Sequence, residues 1–406
     1  MRYIACLLAV LSLSGCISSV YEVPVVGNVL AGQGDTRPFE KPLPINTQPK
    51  RLALGSDFAI GVKEDGTVWS WGYGMLGLGK FESRNIPQVI PNMTDFIEVA
   101  AGSEHVLALR KDGTVWSWGD NEKGALGYKE EGIPYGNPPN IRFSPHQLTP
   151  KQIPDLKEVV SIAAGSNYSL ALDKEGRVWS IGVGACSIFN YKVEDCSSYK
   201  PIVVYENLKI KKMTSDGVVG FILEDGTGLI FGKDVESMDD VNEDVVKNKN
   251  FANPYIIPVK NIVDIVSTSS HIMVLRNDQT VWILGSNFHG GLAQCDYKIN
   301  KHKSFVQVKG LKHIKAISNL MAWDDKGDVW AWGVGTYPQM TYGLLKPSAN
   351  RYGDESCAVK IGNLSNVSFF AQTSSKTLVA NDRGEIFEIG WPKNNFKLTR
   401  LSWSWK

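Results

Sequence analysis

The sequence predicts an all-β fold in which seven repeated units form the blades of a propeller. Three observations carry that expectation: an eight-residue motif that recurs, a β-rich segment ahead of it, and small residues at a fixed distance from it. The motif reads DGTVWSWG at residues 65–72 and again at 112–119, EGRVWSIG at 175–182 and DGTGLIFG at 225–232. It returns as DQTVWILG at 278–285, KGDVWAWG at 326–333 and RGEIFEIG at 383–390. Measured at the second residue of each copy, the steps are 47, 63, 50, 53, 48 and 57 residues (66, 113, 176, 226, 279, 327, 384). Periods of this size mark propellers, solenoids and arrays, and a closed array of 406 residues can form one large domain.

The segment ahead of the motif is clearest as VAAGSEHVLAL (99–109) and IAAGSNYSLAL (162–172). Weaker copies stand at 53–62, 266–275 and 370–380. Segment and motif are both short, β-rich and bounded by turn residues, so each is expected to be one strand. Asp-Gly between them is a strong hairpin signal, because Gly tolerates positive φ. Runs such as 86–90 and 201–204 supply a third strand. Eleven positions before the second residue of each motif stand Gly55, Gly102, Gly165, Ser215, Thr268, Ala316 and Thr373. Strands crowding toward a central axis account for small residues there. Where sheets splay apart from that axis, the motif's Trp residues are expected to fill the gap between blades.

Composition narrows the function. Basic residues number 43 against 42 acidic, so the clustered basic face of a nucleic-acid binder is not expected. Residues 1–15 hold one charge, Arg2, and an apolar run at 4–13, too short to span a bilayer and suited to a secretory signal. The run ends Leu13-Ser14-Gly15-Cys16, which resembles a bacterial lipobox. That resemblance implies cleavage before Cys16, acylation of Cys16 and stable membrane anchoring by several acyl chains. Ile17 in place of Asp implies, by resemblance to enterobacterial sorting, the outer membrane. Residues 16–50 read as a tether whose flexible reach is roughly 30–35 Å, and 51–406 as the propeller. Export permits disulfides. Cys186 and Cys196 flank one inter-strand loop, whose closure would stabilise by roughly 2–3 kcal/mol. Cys295 and Cys357 follow the fifth and sixth motifs, which would be neighbours in space, so a second bridge is expected.

The stretches AAGSEHVLAL, DGTVWSWG and NEKGALG resemble, in order and spacing, the regulator of chromosome condensation repeat family. The resemblance covers roughly residues 51–406 and implies a seven-bladed β-propeller. Copies four and seven lack the Trp residues, copy five has Gln279 where Gly belongs, and the family's His survives at His105 and His271. Eukaryotic members are nucleotide-exchange factors for a nuclear GTPase, a role at odds with an exported chain. Bacterial propellers resembling this one include a secreted enzyme inhibitor, and a lipoprotein propeller of another repeat type serves as an assembly scaffold; both analogies imply protein binding.

Constellations for chemistry are weak. Gly74, Gly79 and Lys80 imitate a P-loop, but Phe81 stands where Ser or Thr must bind Mg²⁺ and Pro87 interrupts any helix. The acidic stretch 234–244 lacks EF-hand spacing, and His105, His271 and His289 have no metal-ligand spacing. No nucleophile–base pair stands out, so no cofactor, metal or enzyme activity is expected; a periplasmic lyase or an exchange-factor-like regulator is the alternative. The expected role is a monomeric, lipid-anchored propeller that binds an envelope protein as inhibitor, immunity protein or scaffold. Its candidate contacts are the apolar and aromatic residues after the WSWG-type strands: Tyr73, Met75, Phe288, His289, Tyr337 and Trp391.

Overall fold

The computed structural model describes residues 49–129, 133–135, 142–189, 199–206, 208–215, 218–231, 254–267, 271–287, 290–295, 301–318, 321–332, 357–364, 367–372, 377–390 and 397–404. The chain divides into two units, Met1–Pro38 and Phe39–Lys406, and every described residue lies in the second.

Each repeat folds as a four-stranded antiparallel sheet, giving seven blades. Blade 1 is β1 (Leu52–Leu54), β2 (Phe58–Val62), β3 (Val68–Met75) and β4 (Phe81–Val89). Blade 2 is β5 (Phe96–Ala101), β6 (His105–Arg110), β7 (Val115–Gly119) and, after a small hairpin of β8 (Ile133–Tyr135) and β9 (Arg142–Ser144), β10 (Gln147–Gln152). Blade 3 is β11 (Val159–Ala164), β12 (Ser169–Asp173) and β13 (Val178–Ile181), then helix α1 (Val183–Phe189) and β14 (Ile202–Tyr205). Blade 4 is β15 (Ile210–Thr214), β16 (Val219–Leu223), β17 (Gly228–Phe231) and β18 (Tyr255–Ile256). Blade 5 is β19 (Ile262–Ser267), β20 (His271–Arg276), β21 (Val281–Ser286) and β22 (Lys301–Gln307). Blade 6 is β23 (Ile314–Ser318), β24 (Met321–Asp324), β25 (Asp328–Ala331) and β26 (Val359–Asn363). Blade 7 is β27 (Val367–Gln372), β28 (Thr377–Asn381), β29 (Glu385–Gly390) and β30 (Lys397–Ser404).

The first strands pack side by side in a closed circuit, from β1 through β5, β11, β15, β19, β23 and β27 back to β1. The last strand pairs inside its own blade, β30 against β29, and does not complete blade 1. Closure comes from side chains instead: Leu52, Ala59 and Trp71 of blade 1 bury against Leu378, Ala380 and Ile386 of blade 7.

Two sequence expectations are corrected. The VAAGSEHVLAL-type segment is a hairpin rather than one strand, so each blade has four strands instead of three. The fixed small residues occupy its turn rather than a strand, and the next blade crowds in there, since a Cβ on Gly102 would lie 2.4 Å from the Gly165 carbonyl oxygen. A Cβ on Gly55, Gly102 or Gly165 would lie 2.1–2.2 Å from the ring of Phe58, His105 or Tyr168, three residues on. Ala316 departs from this pattern and lies within β23. The sixth hairpin pairs Ile314 with Asp324, ten residues apart, where blade 2 pairs Phe96 with Arg110, fourteen apart. Thr268 and Thr373 lie outside the described residues.

The DGTVW sequence has a local explanation. Asp65 Oδ1 accepts from the Thr67 amide at 2.9 Å and the Thr67 hydroxyl at 2.6 Å, which in turn accepts from Trp69 Nε1 at 2.9 Å. Asp278, Thr280 and Trp282 repeat the arrangement. Gly113 sits at φ 81°, and a Cβ there would meet Glu158 Cα at 2.8 Å. Gln279 adopts the same left-handed geometry at φ 68°, with its side-chain amide buried.

The paired Trp residues divide the work of filling the seams. Trp118 of blade 2 is fully buried among Ile60, Val62, Val68 and Leu76 of blade 1. Trp332 of blade 6 packs against blade 5 and donates Nε1 to the Gly291 carbonyl at 3.0 Å. The Trp at the first of the two motif positions is half-buried near the hairpin end of the seam, with Lys63 over Trp69 and, where the second position is Leu284, Arg276 over Trp282. Trp118→Ala is therefore expected to lower stability by about 3–5 kcal/mol, and Trp116→Ala by clearly less, in denaturant unfolding of the two variants.

Candidate functional site

The strands alternate in direction, so one end of the propeller gathers the turns between first and second strands and the loops after third strands. The other end gathers the Asp-Gly turns and the connections between blades. At the first end, the Ser56 amide donates to the Ser103 carbonyl at 2.9 Å, and the Ser103 amide to that of Ser166 at 3.1 Å. These bonds join the GSDF, GSEH and GSNY turns of blades 1, 2 and 3.

The last Gly of WSWG belongs to this junction. Gly72 and Gly119 both sit at φ 106°, and a Cβ on either would lie 2.3 Å from the carbonyl oxygen of Asp57 or Glu104. Beyond that shared point the blades differ. In blade 2 the chain enters a loop held from inside by buried Asn121, which donates to the Tyr128 carbonyl at 2.8 Å and accepts from the Leu126 amide at 3.1 Å. Asn121 is therefore fixed by internal bonds and is not a free contact residue of this loop.

In blade 1 the strands run on. Tyr73 pairs with Ser83 and Met75 with Phe81 across β3 and β4, so a hairpin tip extends past the junction. Tyr73 and Phe81, diagonal neighbours across the pair, meet edge to face at 4.9 Å with 55% and 53% of their surfaces exposed. Together with Ser56, Asp57, Phe58, Gly74, Met75, Ser103 and Glu104 they line a shallow pocket. Met75 is 5% exposed, which makes it floor rather than contact surface. Of the other proposed contacts, Phe288, His289, Tyr337 and Trp391 lie outside the described residues, as does 234–244. The P-loop likeness ends here as well, because residues 81–89 are strand β4 and no helix follows.

Phe81 was not among the sequence-derived contacts. Its signal was an aromatic placed so that a hairpin at 76–80 would set it beside Tyr73.

Charged groups also line up on the innermost strands. Glu98 on β5 accepts from Ser161 Oγ of β11 at 3.4 Å, and Lys212 on β15 pairs with Asp264 on β19 at 2.6 Å. Burial pushes the Glu98 carboxyl up to about 7, against the opposing pull of Lys50, the Ile162 amide, Ser161 and Lys212. His105 is buried between blades and bonded to Ser169 Oγ at 2.9 Å, while Ser169 Oγ donates to the Ala125 carbonyl. Burial pushes His105 down to about 4, with Asp120 opposing. Among the described residues no group of three or more His, Cys, Asp or Glu side chains could hold a metal ion.

Cys295 and Cys357 are joined by a disulfide, Cα–Cα 4.4 Å, between the segments that follow the third strands of blades 5 and 6. Cys186 falls in α1 rather than in an irregular loop, and Cys196 lies outside the described residues.

Comparison with known proteins follows the repeat. The model described as regulator of chromosome condensation (RCC1) repeat matches residues 65–109 and 112–172, and a second model of that description matches 96–125 and 159–187. RCC1 repeats thus lie within residues 65–187 of a seven-bladed propeller. The chain resembles Protein pim1 of Schizosaccharomyces pombe at 29% identity over 187 residues, 41% of this chain and 34% of that protein. The match thus spans about a third of that relative's length. Yeast RCC1 (Prp20), solved bound to Kap60, superposes with TM-score 0.66 at 17% identity, covering 93% of this chain and 91% of that one. Prp20p from Saccharomyces cerevisiae, solved in a study that also covers its binding to Gsp1p and histones, gives 0.63 at 20%, covering 88% and 87%. At these identities the likeness establishes the shared propeller fold.

Glu98 and His105, both buried, act on stability with opposite sign. Glu98 has a raised folded-state pKa, so its contribution is full below about 4.5 and lost as pH rises through about 7. His105 has a depressed one, so its contribution is full above about 6.5 and lost as pH falls through about 4. In unfolding measured against pH, Glu98→Gln is expected to gain on the wild type as pH rises from 5 to 8. His105→Gln should differ from the wild type least at the acid end.

Proposed function

We propose that the protein is a non-enzymatic, protein-binding propeller of the bacterial envelope, anchored through acylated Cys16. Its partner docks on the propeller end that carries the Tyr73–Phe81 hairpin tip. The observation that carries this reading is the pair itself: two large aromatics are held in fixed geometry on paired strands, yet over half of each remains in water. Keeping them exposed forgoes about 2 kcal/mol of burial apiece, and covering such anchors is how interfaces gain affinity. That Prp20 is described with protein partners supports binding as the use of this fold. The LSGC sequence at 13–16 supports the anchor, and the partner's neutralisation or assembly is the outcome of docking.

Affinity capture from periplasmic extract tests the surface. Tyr73→Ala/Phe81→Ala is expected to reduce recovery of the wild-type partner at least about tenfold while thermal unfolding stays unchanged. Undiminished recovery would move the site elsewhere on the propeller. Palmitate labelling tests the anchor: the wild type should take up label and Cys16→Ala should not, and an unlabelled wild type would overturn lipidation.

A further inference from the structure

We propose that the pocket beneath the Tyr73–Phe81 pair receives a cationic side chain, arginine or lysine, presented by the protein partner. This inference rests on the reading that this propeller end binds a protein, and adds the chemistry of what enters.

The wall is aromatic and the rim is acidic. Tyr73 and Phe81 offer exposed ring surface, and Met75 supplies a polarisable floor. Asp57 and Glu104 stand on adjacent turns tied by the Ser56–Ser103 backbone bond, and both line the pocket. Both are exposed, and among the described residues neither carboxylate has an ion pair or side-chain hydrogen bond. Nearby cations are already engaged within the hairpin: Arg84 pairs with Glu82 at 2.7 Å and Lys80 with the same oxygen at 3.5 Å.

Two like charges on one rim repel each other until a counter-charge arrives, so a cation entering here gains from both carboxylates and from the rings. An anionic or purely aliphatic group would gain from neither. Gly74, at φ 129° with nothing within 4 Å of where its Cβ would be, leaves space open at the tip. The planar guanidinium fits such a site better than a compact ammonium, because it can stack on a ring while its N–H groups reach a carboxylate.

The test uses the full chain in detergent micelles with methyl-labelled methionine, following the Met75 signal by NMR. The probe is an arginine-bearing peptide, and its citrulline counterpart keeps the shape without the charge. The arginine peptide is expected to shift the Met75 signal saturably and the citrulline peptide not to. Asp57→Asn/Glu104→Gln should weaken the response about tenfold, with Phe81→Ala also weaker, and added salt should weaken it in the wild type. Equal responses to the two peptides, or a response indifferent to salt and to the carboxamide variant, would overturn the proposal. If partner capture depends on Tyr73 and Phe81 but the arginine peptide leaves Met75 unmoved, the cation assignment fails and the docking end stands. If the peptide binds while capture ignores both rings, the pocket's chemistry is supported and the docking end fails.

Discussion

At four blade boundaries the first strand of one blade donates a backbone amide to the hairpin turn of the blade before it. The Phe96 amide reaches the Gly66 carbonyl, Val159 reaches Gly113, Ile262 reaches Gly226 and Ile314 reaches Gln279. The connecting residue just before that strand then accepts from the next hairpin, as Asp95 does from Lys111 and Glu158 from Lys174. Each of these four connections is thereby bonded on both sides. The arrangement demands left-handed backbone at Asp95, Glu158, Asn261 and His313, and at the hairpin positions Gly66, Gly113, Gly226 and Gln279. Side chains in the seams then have a fixed gap to fill, which buried Trp118 and Trp332 do.

The opposite end is under weaker constraint. Its turns are joined through Ser56, Ser103 and Ser166, but the loops after third strands differ from blade to blade. Blade 1 extends a hairpin, blade 2 inserts β8 and β9, and blade 3 forms α1. Variation is tolerated there because those loops hang outside the bonded connections, which suits an end whose shape must match something else.

This division explains what was legible in the sequence. Asp65, Gly66, Thr67 and Trp69 act within one turn, so their meaning repeats with the motif and the propeller could be read from it. The split of VAAGSEHVLAL into two strands was hidden because apolar residues continue up to Gly102 and resume at Val106, with the His105 ring folded over Gly102. A fixed count likewise misplaced Ala316, since one short hairpin shifts every offset before it. Tyr73 was accessible to sequence reasoning as an aromatic after the motif. Phe81 and the rim of Asp57 and Glu104 depend on pairing across β3–β4 and on contact between different repeats, and periodicity carries no record of either. The axial charges on Glu98 and Lys212 were missed for the same reason.

Closing the circuit without a shared strand has a thermodynamic side. Neighbouring first strands β1 and β5 begin 44 residues apart (96 less 52), whereas β27 and β1 begin 315 apart (367 less 52). Loop entropy grows only with the logarithm of length, so bringing the last pair together costs about 2 kcal/mol more than bringing together any adjacent pair. Burying Leu52, Trp71, Leu378 and Ile386 at that seam offsets this several times over. Distance along the chain is thus a minor term in where the circle joins, and hydrophobic fit between two blade faces is sufficient to hold it shut.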